Sequence, residues 1–234
     1  MSLYSKLLLF SFIVPFIMSF DRKVGFYHYW RTFFPSAAVV GSIYIIVDIS
    51  FVKNGIWGFN PEYHSSAVFL GLPLEEWLFF ILIPYTCVFI HYVFMAYFPQ
   101  VMLSDRITRV ISGLIIPALI LIVIINIEKA YTVFNFSLLI VALIIAMFDK
   151  TRLLNRYYLS FLIMLVPFFL VNGILTGTFI TGEVVWYNNS ETMGIRLLTV
   201  PVEDAGYAFS LVLLNLLLTG WLERRIQIAK SILV

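Results

Sequence analysis

Charge is scarce in this sequence, and so are cysteine and histidine. Of 234 residues only 12% are charged, three are histidine and one, Cys87, is cysteine. A lone cysteine closes no internal disulfide, and the scattered histidines have no metal-ligand spacing, so no metal is expected. No GxGxxG follows a strand and no Walker-type loop appears, so bound nicotinamide, flavin or ATP has no support and no cofactor is expected. An aspartate-rich DDxxD run, of the kind that holds magnesium on a prenyl diphosphate, is missing too. The net charge of +2 is small and dispersed, which argues against nucleic acid as a partner.

What fills the chain instead is apolar. Hydrophobic residues make up 62% of it, where a soluble domain is nearer half, so the sequence reads as an all-α polytopic membrane protein with the lipid bilayer as its solvent. Apolar runs predict seven transmembrane helices over roughly 2–20, 32–52, 72–98, 107–127, 131–148, 157–180 and 197–222. The first run lacks an A-x-A cleavage site and is expected to be a membrane helix rather than a signal peptide. If odd-numbered helices run inward, 11 of the 15 basic residues fall on the cytoplasmic side, with Lys6, Lys53, Lys129 and Arg196 opposite. That asymmetry predicts an external N-terminus and a cytoplasmic C-terminus.

A polar skeleton repeats along the chain. Phe20-Asp21 returns as Phe148-Asp149, Asn60 as Asn188, and Pro73, Glu75 and Glu76 as Pro201, Glu203 and Asp204, each 128 positions on. Three units follow: repeat A over 1–98 with helices 1–3, a connector over 99–129 with helix 4, and repeat B over 130–234 with helices 5–7. An odd connector leaves the two repeats parallel, a 3+1+3 arrangement about an axis along the membrane normal.

Carboxylates are expensive inside a bilayer, so a duplicated pair demands a task. Adjacent helical residues point about 100° apart, so one acid of each pair can face the bundle while its neighbour anchors it. Glu75 and Glu203 are expected to be the acid–base pair, with Glu76 and Asp204 orienting them or sharing the proton. A pair of acids after proline would also serve as a simple helix cap, and that reading stands beside the catalytic one. Trp77, Phe80 and Tyr207 lie close to the acids, and ring faces attract cations. Asp48, alone in an apolar helix, is a site candidate, with Asn172 as its nearest polar analogue. Asn60 and Asn188 are placed to order the loops over the acids, and an ordinary turn role fits them equally. Gly173 and Gly177 form a small-xxx-small pair suited to close helix packing.

These residues carry a resemblance. LPLEEWLFFILIPYTCVFIHY (72–92), TVPVEDAGYAF (199–209) and IWGFNPEYH (56–64) are similar to segments of the lycopene cyclase domain family, with LVNGILTG (170–177) and VVWYNN (184–189) in further support. Ser66 stands where a glycine usually precedes the first motif, and Val47 where a tryptophan often precedes the helix 2 aspartate. The resemblance implies a small cyclase of the bacterial inner membrane with both halves fused, needing no partner subunit. Its substrate would be lycopene or a related acyclic carotenoid, closed without redox change or nucleotide cofactor, with β-carotene formed through γ-carotene. Contacts with other enzymes of the carotenoid pathway are in keeping with that role. Two other classes remain: a small 3+1+3 transporter using its acids to relay protons, and a non-catalytic carotenoid-binding subunit.

Overall fold

Residues 1–232, with side chains to residue 228, are described by a computed structural model. Seven helices dominate it: α1 (Leu3–Met18), α2 (Trp30–Lys53), α3 (Leu74–Tyr97), α4 (Asp105–Ile125), α5 (Ala130–Met147), α6 (Leu153–Leu175) and α7 (Val202–Ile232). Among the described residues, six of them, all but α1, are long and apolar enough to cross a bilayer, which makes this an all-α integral membrane protein. The 16 residues of α1 give it a length of about 24 Å, somewhat short of the hydrocarbon core.

Two helices depart from their expected bounds at both ends. The last helix begins at Val202 rather than at 197, because Arg196–Leu197 and Val200–Pro201 pair as a short antiparallel hairpin. Apolar hairpin residues look like helix to a hydropathy reading. The sixth helix spans Leu153–Leu175 instead of 157–180, and Gly177 lies beyond its end at φ +105°, a conformation that L side chains rarely adopt. Gly177 is therefore a turn residue, and the helix-packing role expected for it with Gly173 does not arise.

The strands are β1 (Trp57–Phe59), β2 (Val68–Phe69), β3 (Leu72–Pro73), β4 (Val185–Tyr187), β5 (Arg196–Leu197) and β6 (Val200–Pro201). They show how closely the two halves repeat each other. Leu70 at φ +53° turns the hairpin β2–β3, and Leu198 at φ +57° turns β5–β6, again 128 positions on. A left-handed leucine costs roughly 1–2 kcal/mol, so its recurrence marks a shared backbone design. Pairing of β1 with β4 joins Trp57 to Tyr187, Gly58 to Trp186 and Phe59 to Val185. Each strand thus meets the copy of itself, reversed about Gly58 and Trp186, as a local two-fold axis requires. The flanking bonds obey the same rule: the Asn60 N–H donates to the Val184 carbonyl and the Asn188 N–H to the Ile56 carbonyl, both at 2.9 Å.

Turns repeat as well. The Asp21 carboxylate accepts the N–H groups of Lys23 and Val24 just past α1, and Asp149 accepts the N–H of Thr151 just past α5. Short acids that capture nearby backbone donors stop a helix in this way. Packing completes the pattern: α1 lies along α3 and α5 along α7, while α2 packs on α7 and α6 on α3. Each acid-bearing helix is therefore held by the first helix of its own half and the second helix of the other. The remaining helix, α4, lies against α5 and α6.

Candidate active site

Both acid doublets stand in the first turns of α3 and α7, directly after the hairpins. Pro73 and Pro201 each end a strand and precede the helix, so the missing proline N–H costs the helix nothing. Leu74 N–H then donates to the Ala67 carbonyl at 2.8 Å, and Val202 N–H to that of Ile195 at 3.1 Å, which fixes the start of each helix in the same way.

Within each doublet the neighbours part company. Glu75 is buried and turned toward α1 and the preceding loop. It accepts from Ser2 Oγ and Ser5 Oγ at 2.7 Å and from Ser65 N–H and Ser65 Oγ at 2.9 Å. Its copy Glu203 accepts from Thr132 Oγ1 at 2.7 Å and from Met193 N–H at 2.6 Å. The other oxygen of Glu203 is buried without a partner among the described residues. Ser5 with Thr132, and Ser65 with Met193, are matching positions of the two halves. These acids tie their helix to the first helix and to the incoming loop.

Glu76 and Asp204 point the other way, into a cavity of about 400 Å³ bounded by α1, α3, α6 and α7. Tyr4 donates to Glu76 at 2.5 Å, and its copy Tyr131 donates to Asp204 at 2.7 Å. Asp204 has a second donor, Tyr187 on β4, at 2.9 Å. In the other half Phe59 stands at the matching position and has no hydroxyl, so Glu76 keeps one oxygen with no hydrogen bond among the described residues. Burial, and after it the charge of Asp204, holds the Tyr187 hydroxyl well above the ordinary tyrosine range, so Tyr187 stays a neutral donor. Trp57 also lines this end, with its indole N–H unpartnered among the described residues. Elsewhere the walls are almost wholly apolar, among them Phe79, Ile83, Met164 and Leu211.

Glu75 and Glu203, expected to be the acid–base pair, turn to the first helix and the loop, while Glu76 and Asp204, expected to orient them or share the proton, line the cavity. Of the other candidates, Tyr207 and Asn172 line the cavity. Asp48 sits one bond behind it: buried in α2, it accepts from the Tyr207 hydroxyl at 3.0 Å. Matching backbone bonds at the ends of α2 and α6 set Asn54 against Thr176, a shift of 122, so Asn172 copies Ser50 and Asp48 copies Leu170.

Four candidates lie elsewhere. Trp77 packs on Phe69 and donates its indole N–H to the Phe69 carbonyl at 3.3 Å, which places it on the hairpin. Phe80 is buried behind the site against Val40, Tyr44 and Leu211. Asn60 and Asn188 accept the N–H of Glu62 and of Ser190, each at 3.1 Å, as ordinary turn residues. Sequence reasoning missed Tyr4, Tyr131, Tyr187 and Trp57. A signal for the first two was present: Tyr4-Ser5 returns as Tyr131-Thr132 at a shift of 127, one gap from the register of the rest.

Comparison with known proteins gives one match. Neither the curated proteins nor the solved structures contain a match to the chain. A family model described as lycopene cyclase matches two stretches, residues 1–94 and 128–222, which take in both acid doublets and leave out α4. With most of its length inside those two stretches, the chain belongs to the lycopene cyclase family.

Proposed function

We propose that this protein closes the acyclic ends of lycopene, or of a closely related carotenoid, into six-membered rings by proton transfer, with Glu76 as acid and Asp204 as base. The observation that carries the reading is the convergence of these two copied carboxylates, each held by a tyrosine, at one end of a single apolar cavity. Family membership already makes the chain an enzyme of carotenoid cyclisation. The site adds a route that closes the ring without oxidant or reductant.

Glu76, in its protonated form, gives its proton through the oxygen that no protein group occupies to the inner carbon of the terminal double bond. A tertiary cation results on the neighbouring carbon. The next double bond along the chain attacks it through its polyene-side carbon, which closes the six-membered ring and moves the cation to the other carbon of that double bond. Asp204 takes a proton from the carbon between that cation and the polyene, and the electron pair left behind becomes the ring double bond. One proton enters and one leaves, so atoms and electrons balance. Two tyrosine hydroxyls, one on each oxygen, suit Asp204 to the anionic role. Its negative charge and the rings of Trp57, Tyr4 and Tyr131 lie where the positive charge develops. The apolar walls exclude water, which would otherwise capture the cation.

The reading extends to architecture. The chain is taken as two parallel three-helix repeats, 1–98 and 130–234, joined by a connector that carries α4, with α1 completing seven crossings. The acids are placed toward the external face, the N-terminus outside and the C-terminus in the cytoplasm. Loss of the proton next to the polyene gives a β-type ring, so β-carotene through γ-carotene is the expected series. A transporter would line a path through the membrane with polar groups; here the walls beyond the acids are almost wholly apolar. Pigment extraction from a lycopene-producing host tests the assignment. Cyclic carotenoid is expected with the natural sequence and only lycopene with Glu76→Gln. Unchanged lycopene with the natural sequence would refute the activity, and cyclic product from Glu76→Gln would refute the residue.

A further inference from the structure

The cavity is not closed along its length. At the acid end its lining is deeply buried, with Tyr4 at 1% exposure and Glu76 at 5%. Farther along, the lining passes to side chains that are exposed: Phe10 at 77% and Val14 at 58% on α1, and Leu170 at 58% on α6. Those residues lie within apolar helices, so the mouth between α1 and α6 faces acyl chains rather than water. Two prolines, Pro15 and Pro167, line the same stretch. Pro15 offers no N–H to the Ser11 carbonyl, and Thr86 Oγ1 on α3 donates to that carbonyl instead at 3.1 Å. In this way α1 is fastened along α3, while it touches α6 only sparsely.

Along α3 the lining runs from Glu76 to Ile90, fourteen residues, or about 21 Å of helix. A polyene long enough to reach across the hydrocarbon core, roughly 30 Å, does not fit whole. The matching place between α5, α7, α2 and α3 is packed with aromatic side chains. There Tyr44, Phe51 and Phe134 pack ring against ring, with centroids 5.5–6.2 Å apart.

We infer that the gap between α1 and α6 is a lateral portal through which one end of the carotenoid enters from the bilayer while the far half stays in lipid. This rests on the cyclase reading above and adds the path of access and the part of the substrate that is recognised. The enzyme then selects for an acyclic end group and is indifferent to what the far end carries. Each ring closure is a separate visit, and the monocyclic product leaves through the portal and returns reversed.

The test uses purified protein in proteoliposomes loaded with lycopene. Wild-type protein must form rings there, and if it does not, the cyclase reading itself fails. Leu170→Trp and Val14→Trp, at the mouth and away from the acids, are expected to slow ring closure about tenfold or more. Val166→Trp, exposed on α6 but outside the lining, is expected to leave the rate unchanged. Ring closure by wild type with equal rates in all three variants overturns the portal alone, and so does an equal loss in all three. A second measurement needs no variant. Acyclic polyenes with the same end but a shorter, longer or already cyclised far half are expected to have kcat/KM values within about threefold of one another. A steep dependence on the far half would overturn the inference.

Discussion

The surroundings of Glu76 and of Asp204, 128 positions apart, match in part of their hydrogen-bonding frame and differ at a few side chains that bear on the cavity. In both halves a tyrosine of the first helix donates to the second acid, and a hydroxyl of the next residue donates to the first. That frame is common property. The departures are Phe59 against Tyr187, Phe79 against Tyr207, and Phe51 on α2 against Gly173 on α6. The first gives Asp204 one more donor than Glu76. The second pair ties one half to Asp48 through a hydroxyl and leaves the other apolar, with Phe79 and Leu170 both lining the cavity. The third replaces bulk by a hydrogen atom, beside the half where the chamber lies. The two carboxylates stand at matching positions with unequal partners.

The largest effect expected is at the cavity-facing acids. Glu76→Gln and Asp204→Asn each remove a proton-transfer group, and loss of general acid or base catalysis is worth about a hundredfold or more. Ring formation measured by chromatography should fall by that factor in both, with folding preserved. Next come the tyrosines. Tyr4→Phe removes the single donor to Glu76, whereas Tyr187→Phe leaves Asp204 with Tyr131. A hydrogen bond to a charged group is worth about 1.5–3 kcal/mol, so the Tyr4 variant should lose about tenfold to a hundredfold in kcat and the Tyr187 variant less. Equal losses would remove the claimed inequality.

Behind the cavity the comparison inverts. Glu75→Gln and Glu203→Gln break anchoring bonds, so a loss of about 1–3 kcal/mol in stability is expected, read as a lower Tm, with kcat of the folded fraction little changed. Glu75, with four donors against two, should show the larger drop. A collapse of kcat at unchanged Tm would move the chemistry back to these residues. The smallest effect expected concerns the axis itself. A Cβ at Gly58 would meet the Trp186 ring at 2.6 Å, and these two residues are copies of one position. Only one of them can be large. Gly58→Ala should therefore cost about 1–3 kcal/mol by overpacking, visible as a fall in Tm with the acid chemistry intact.

Much of this was legible in the residues. Apolar runs placed the helices, because a bilayer-spanning helix announces itself by length. The skeleton of Asp21, Asn60 and Pro73 with the acids recurs 128 positions on, the same spacing as the left-handed Leu70 and Leu198 of the two hairpins. Two things were not legible. Neighbouring acids on a helix point about 100° apart, and nothing in the order Glu75-Glu76 says which faces the bundle; that depends on where α1 and α6 pack. Tyr187 and Trp57 lie on strands, remote in sequence from the acids they accompany, and only the pairing of β1 with β4 brings them in. Trp77, close to the acids in sequence, was claimed instead by the hairpin carbonyl of Phe69.

The proton carries the central claim, and deuterium follows it. In proteoliposomes equilibrated with D2O, wild-type protein should place one solvent deuteron in each ring it closes, and Glu76→Gln should close almost none. Rings formed without deuterium, or formed by Glu76→Gln at the wild-type rate, would contradict the account.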